Sequence, residues 1–227
     1  EQVCLLAYLE GLLALEHHDL EYATKRLGEA GQIADQHLTP LDQLYLAFER
    51  FRLGMVLRDS ELWQQELTRI EQLHQVMGQL RWHHNIPRPE VLEALARLTE
   101  GNAFPLILWA QSDPEPVVGN RFCTLNETLL KLIGQLLAAS PVARELAALR
   151  TEAEEAGLLQ LVCRLDLVSL MVQAFGDQDP EGAVKKLDAL LALWVPRGLV
   201  RPFVDADPRL DSLLDACITR GWSEVEA

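Results

Sequence analysis

Apolar residues recur three and four positions apart along most of this chain. Leu5, Leu9, Leu12 and Leu15, with Leu6 and Leu13 beside them, are followed by Ala23, Leu27, Ala30 and Ala34. That period belongs to amphipathic helices, and it predicts a pair over residues 3–16 and 20–37 around the turn His17-His18-Asp19. A second pair is predicted at 41–57 and 60–77, preceded by Pro40, with Asp59 or Ser60 as N-cap and Gly78 as the stop. A third covers 89–101 and 103–111, capped by Asn102, and a fourth covers 120–139 and 141–156, capped by Ser140 and closed by Gly157. The fifth spans 158–175 and 180–194 around Gly176-Asp177-Gln178-Asp179. The Pro-containing stretches 79–88 and 112–120 read as irregular connections.

The pairs keep a period of forty residues. Ala23, Trp63, Ala103, Ala143 and Ala183 fall in one column, and Leu27, Leu67, Ile107, Ala147 and Leu187 in another. Ala14, Gly54, Ala94, Gly134 and Ala174 form a column that is always small, and Asp19, Asp59 and Asp179 mark the matching turn. A fixed period of this size is the signature of a solenoid whose units bury their apolar faces against neighbours. The predicted fold is therefore all-α. It is a right-handed superhelical array resembling tetratricopeptide repeats, with units at 1–40, 41–80, 81–120, 121–160 and 161–195 and a C-terminal segment at 196–227. Asp19, Ala23, Leu27 and Ala30 match the turn and second helix of the tetratricopeptide unit. The first half departs from it, and the unit is longer than that motif's roughly 34 residues. HEAT and armadillo units have nearly this length, yet the Pro and Asp/Arg positions usual in HEAT helices do not recur. In the C-terminal segment, Pro196 and Gly198 end a helix, 199–204 reads as an extended apolar run, and Asp207-Pro208 starts a short helix over 207–219. This tail is read as a cap for the last unit. Trp63, the exception in its small-residue column, is read as filling a gap beside Gly54.

Composition supports a folded core, with 49% hydrophobic and 24% charged residues and a mean hydropathy of +0.03. The net charge of −14, from 34 acidic and 20 basic residues, would repel a phosphate backbone, so no direct contact with nucleic acid is expected. No run of about 18 apolar residues exists, and Glu1-Gln2-Val3-Cys4 has no basic leader character, so neither a membrane span nor a signal peptide is expected. Without an initiator Met, and opening inside an apolar helical pattern, the chain reads as a fragment of a longer protein. Self-association is left open. Cys4, Cys123, Cys163 and Cys217 lie far apart among apolar residues and are expected to be buried, reduced thiols, in keeping with a cytoplasmic location.

The run Leu190-Leu191-Ala192-Leu193-Trp194-Val195-Pro196-Arg197-Gly198-Leu199-Val200-Arg201-Pro202-Phe203-Val204-Asp205, followed by Leu210, Leu213 and Leu214, resembles the close of the helical-repeat sensor region in MalT-like, LuxR-type ATP-dependent transcriptional activators. Pro196, Gly198, Arg201, Phe203, Asp205 and Leu213-Leu214 carry the match. Leu199 stands where an aromatic is usual, and Ala206-Asp207 where Glu-Gly is common. The run from Leu13-Ala14-Leu15 to Ala30, with Asp19 and Ala23, is also similar to the family's first repeat. The resemblance implies transcription regulation: a superhelical sensor that binds a small-molecule effector or a regulatory protein and relays this to a nucleotide-binding module and a DNA-binding helix-turn-helix. No GxxxxGK(S/T) occurs, so the phosphate cradle of a P-loop is not in this sequence.

No cofactor or metal site is expected. His17-His18 and His83-His84 are adjacent pairs, which on a helix diverge rather than converge on one ion as an i, i+4 pair would. No GxSxG or HExxH appears, and Glu152, Glu154 and Glu155 read as a solvated face, so no enzyme is expected. A recognition surface fits better. If the first helix of each unit lines a concave face, it presents Leu5, Tyr8, Leu12 and Leu15, then Tyr45, Phe48, Arg52 and Met55, then Asn85, Arg88 and Leu92. Tyr8, Tyr45, Phe48, Arg52 and Arg88 are the candidate ligand-binding residues, able to stack on a flat ligand and bind its hydroxyls or carboxylate. Tyr8, Tyr45 and Phe48 equally suit packing between units. The alternative function is a scaffold or adaptor that grips a protein or peptide, a basic one by charge.

Overall fold

The computed structural model describes residues 2–80, 86–112, 121–176, 179–204, 213–215 and 217. Among them every element is helical. They cluster into two compact units, 1–138 and 139–227. The first holds α1 (Gln2–Glu16), α2 (Leu20–His37), α3 (Pro40–Leu57), α4 (Ser60–Leu80), α5 (Pro89–Thr99), α6 (Phe104–Gln111) and α7 (Arg121–Leu137). The second holds α8 (Ala143–Glu155), α9 (Leu159–Met171) with a π-helical turn at Val172–Gly176, α10 (Pro180–Trp194) with a 3-10 turn at Val195–Arg197, and α11 (Arg201–Val204).

Two devices repeat forty residues apart in the first two hairpins. His18 and Arg58 both take the left-handed conformation, at φ 60° and 55°, which turns the chain. The next amide then reaches back into the preceding helix, Asp19 N–H to Ala14 O at 2.8 Å and Asp59 N–H to Gly54 O at 2.9 Å. These bonds satisfy carbonyls left open at the helix end. The same aspartates cap the second helices by accepting from the amides of Tyr22 and Leu62 at 3.1 and 3.0 Å, and Asp179 does so for Gly182 at 3.0 Å.

The hairpins close through small residues. A Cβ added at Gly54 would stand 2.8 Å from the Trp63 backbone nitrogen, and one at Gly11 would stand 2.7 Å from Leu27 Cγ. Trp63 thus lies against Gly54, as the column suggests. It is buried, meets Phe51 edge-on at 6.4 Å, donates its indole N–H to Glu100 Oε1 at 3.2 Å, and carries the Arg97 guanidinium 5.0 Å above its ring. Around α1 and α2 the core comprises Cys4, Ala7, Leu15, Ala23, Leu27, Ala30 and Ala34, joined by Leu46 and Leu53 of α3. Leu44, Phe51, Trp63, Ile70, Met77, Ile86 and Leu92 build the core across α3, α4 and α5.

The second unit is tied by a buried carboxylate. Asp166 on α9 accepts from Arg150 of α8 at 2.6 Å and from the Trp194 indole of α10 at 3.3 Å. Gly198 ends the 3-10 turn at φ 78°, and Arg201, Phe203, Leu213 and Cys217 are buried, whereas Pro196 and Gly198 are exposed. Asp205 and most of 207–219 lie outside the described residues, as do His83-His84, Asn85, Asp177-Gln178 and 113–120.

Several sequence expectations are corrected. Residues 201–204 form a helical turn, not an extended run; α4 continues past Gly78 to Leu80. α8 starts at Ala143 behind Val142, with no side-chain cap, so Ser140 is not its N-cap. The buried columns at Ala23 and Leu27 hold at Trp63 and Leu67 and at Ala183 and Leu187, but Ala143 and Ala147 are exposed and Leu146 and Leu149 are buried instead. In the third row the buried residues are Leu106 and Ala110. The second helices of these two rows begin about one turn late, at Phe104 and Ala143, which moves the inward stripe by three positions. Gly134, in the small column, meets Ala110 and Leu106 of the preceding helix, α6. The forty-residue count is thus kept while its structural meaning shifts.

Gly54→Ala is expected to lower stability by about 1–2 kcal/mol, because overpacking against the Trp63 backbone exceeds the gain in helix propensity. Gly28→Ala, which meets no atom within 4 Å, is expected to raise it by about 0.5–1 kcal/mol. Urea unfolding of the two variants checks both signs.

Candidate functional site

The five residues singled out by the sequence divide. Tyr8 is half-buried against the α1–α2 core, while Tyr45 and Phe48 pack on the α3–α4 core. All three therefore serve packing within the hairpins. Burial pushes the Tyr8 hydroxyl's pKa up, and the nearby Glu49 and Tyr45 add to this against the opposing charge of Arg52. Arg52 is held by Glu16 of α1 at 2.7 Å and by Glu49 at 2.6 Å. Arg88 lies elsewhere, where its side chain grips the buried Glu127 of α7 at 2.8 and 3.2 Å and its backbone N–H donates to the same carboxylate. Both arginines are therefore ties between helices. Tyr8 and Arg52 come together; Arg88 does not join them.

A groove between α2, α3 and α4, about 680 Å³ in volume, was not read from the sequence. Its base is Glu66, only 1% exposed. Glu66 occupies an inward position of α4, between Trp63 and Ile70, where the apolar stripe would otherwise continue. Its Oε1 lies 2.7 Å from Arg50 Nε of α3, off the line of the N–H bond, and its Oε2 has no hydrogen-bond partner. Arg50 crosses α2 where Gly31 offers no side chain; a Cβ there would collide with the guanidinium. Arg69 of α4 pairs with Asp35 of α2 at the rim. Amide side chains such as Gln32, Gln43 and Gln72 complete the wall.

The groove is polar and close to charge-balanced, with two guanidinium groups and two carboxylates. Desolvation raises the Glu66 pKa, opposed by Arg50 and Arg69. A volume of this size lies within the range of small-molecule sites, roughly 300–1,000 Å³. The geometry offers an acceptor in low dielectric, flanked by donors, which is a means of binding and orienting a polar molecule. The signal available in the sequence was the charge of Glu66 at a stripe position of α4, between Trp63 and Ile70.

The four cysteines are buried and form no disulfide with one another. Burial pushes the Cys123 and Cys163 thiols up to about 11 and about 12, which keeps them protonated and poor ligands or nucleophiles. Among the described residues no cluster of three or more His, Cys, Asp or Glu side chains is arranged to hold a metal ion, and no helix is long and apolar enough to cross a membrane. Comparison with known protein families, with characterised proteins and with solved structures finds no match for this chain.

A carboxyl group whose folded pKa is raised favours its protonated form in the native state. Its contribution is fully present below the unfolded value near 4.5 and is lost as pH rises through the folded value. Glu66→Gln, which stays neutral and keeps an acceptor for Arg50, is therefore expected to be more stable than wild type at pH 7. The difference should vanish toward pH 4, and unfolding curves at several pH values check this.

Proposed function

We propose that this chain is a sensing domain that binds a polar small molecule in the α2–α3–α4 groove, and that it serves a bacterial transcriptional activator of the MalT-like, LuxR-type kind. Its ligand state would be relayed to ATPase and DNA-binding modules elsewhere in the same polypeptide. The observation that carries the binding role is that Glu66, which lines the groove, keeps a buried oxygen, Oε2, with no hydrogen-bond partner. A group of this sort costs stability when left unmet, and a ligand donor would meet it. The regulatory role is supported by the Arg201 to Phe203 ending and by the consecutive packed hairpins, which provide a scaffold able to change its packing when a ligand favours one arrangement.

A second reading, a scaffold or adaptor for a basic peptide, is favoured by the net charge of −14. The two readings separate in one experiment, a thermal-shift screen of polar metabolites and basic peptides. An effector at about a hundred times its Kd is expected to stabilise the wild type by about 2.7 kcal/mol, and this shift should be lost in Arg50→Met and Glu66→Gln. A response to basic peptides alone, unaffected by those substitutions, would support the adaptor. Reading the parent gene outward tests the regulatory assignment separately, since a P-loop upstream and a helix-turn-helix downstream should both appear.

A further inference from the structure

α1 and α3 are related by the forty-residue period, so residues of one have counterparts in the other. Cys4 and Leu44, Ala7 and Ala47, Gly11 and Phe51, and Ala14 and Gly54 are all buried. This is the face each helix turns to the second helix of its own hairpin. On another stripe the counterparts diverge. Leu46 and Leu53 of α3 are 1% and 2% exposed, buried in the cluster that Ala23, Leu27, Ala30 and Ala34 of α2 help to form. Their equivalents Leu6 and Leu13 are 55% and 59% exposed, flanked by Val3 and Leu9, which are also exposed. A helix that is apolar all round is ordinarily a buried helix, and a contiguous exposed apolar stripe marks an interaction site.

We infer that Leu6 and Leu13 form a docking surface for the second helix of a further hairpin of this same repeat class, packed on α1 as α2 packs on α3. The occupant follows from the internal precedent. The same two leucines, one period later, lie in one buried cluster with Ala23, Leu27, Ala30 and Ala34 of α2. A helix with such small inward residues can approach closely enough to bury both leucines. A second copy of the α1 face would instead oppose leucine to leucine and offer no such stripe. The inference concerns a different surface from the groove and stands or falls independently of the sensing role.

The test places an additional copy of residues 1–40 ahead of the chain, and in parallel titrates a labelled peptide of residues 19–39 against the 227-residue chain. The tandem protein is expected to unfold several degrees higher than the original. Leu6→Glu together with Leu13→Glu in the chain proper should abolish that gain, while leaving the midpoint of the original chain nearly unchanged. The peptide should bind the wild type and not the double variant, a readout that stands even if the tandem protein misfolds. Absence of peptide binding and of any gain in the tandem protein overturns the inference. So does a dimer of the original chain that the double substitution dissociates, because a second copy would then be the occupant.

Discussion

Two helices joined by a short turn can lie close only where one of them gives up a side chain at the crossing, and the first unit depends on that constraint. Gly54 receives the backbone of Trp63, Gly11 receives Leu27, and Gly134 receives α6. Close approach at Gly54 brings α3 and α4 near enough for Phe51, Trp63, Ile70 and Met77 to form one core. It also fixes the depth at which the next position inward, Glu66, is buried. The large indole opposite the glycine then reaches α5 through Arg97 and Glu100. A crossing that looks like a local economy of volume thus sets where both the core and the groove lie.

Charge is used internally to a degree that the acidic balance of the chain conceals. Glu49, Glu66, Glu127 and Asp166 are all buried, and each is held by an arginine: Arg52, Arg50, Arg88 and Arg150 respectively. Buried ion pairs add little net stability when complete, but where both oxygens are met, as in Glu127 and Asp166, leaving one partner alone costs several kcal/mol, about 3–5 by analogy with other buried pairs. The pairs of Glu66, Glu127 and Asp166 hold neighbouring helices to one arrangement, and Glu49 joins them only through the bond of Arg52 to Glu16 of α1. Three of the four are served at both oxygens or embedded in a wider network. Glu66 differs, because one oxygen has no partner and the carboxylate borders open space.

Helix existence was legible for α1 to α10 because it follows from local periodicity and from caps such as Asp19 and Asp179, whose acceptors act on amides three residues away; the short turn at 201–204 was not. Burial of the small column was legible too: Ala14, Gly54, Ala94, Gly134 and Ala174 are all inward. The site was less so. Tyr8, Tyr45 and Phe48 were placed on the correct helices, but a side chain that stacks on a ligand and one that fills an interface show the same spacing. Arg52 and Arg88 read as candidates for a ligand's carboxylate; the interhelical partners that hold them, Glu16 and Glu127, are 36 and 39 residues away in the chain, although Glu49 stands only three residues before Arg52.

By itself, then, the sequence determined the ten longer helices, where hairpins turn, and that a forty-residue period runs through the chain, because those features depend on contacts within about one helical turn. Only the tertiary structure decided what the period means in space. A start delayed by one turn at Phe104 and Ala143 rotates the inward stripe and turns Gly134 toward the preceding helix, a change that no column of the alignment displays. It also decided that Arg50 passes over Gly31 to a buried Glu66, since that meeting requires three helices to converge.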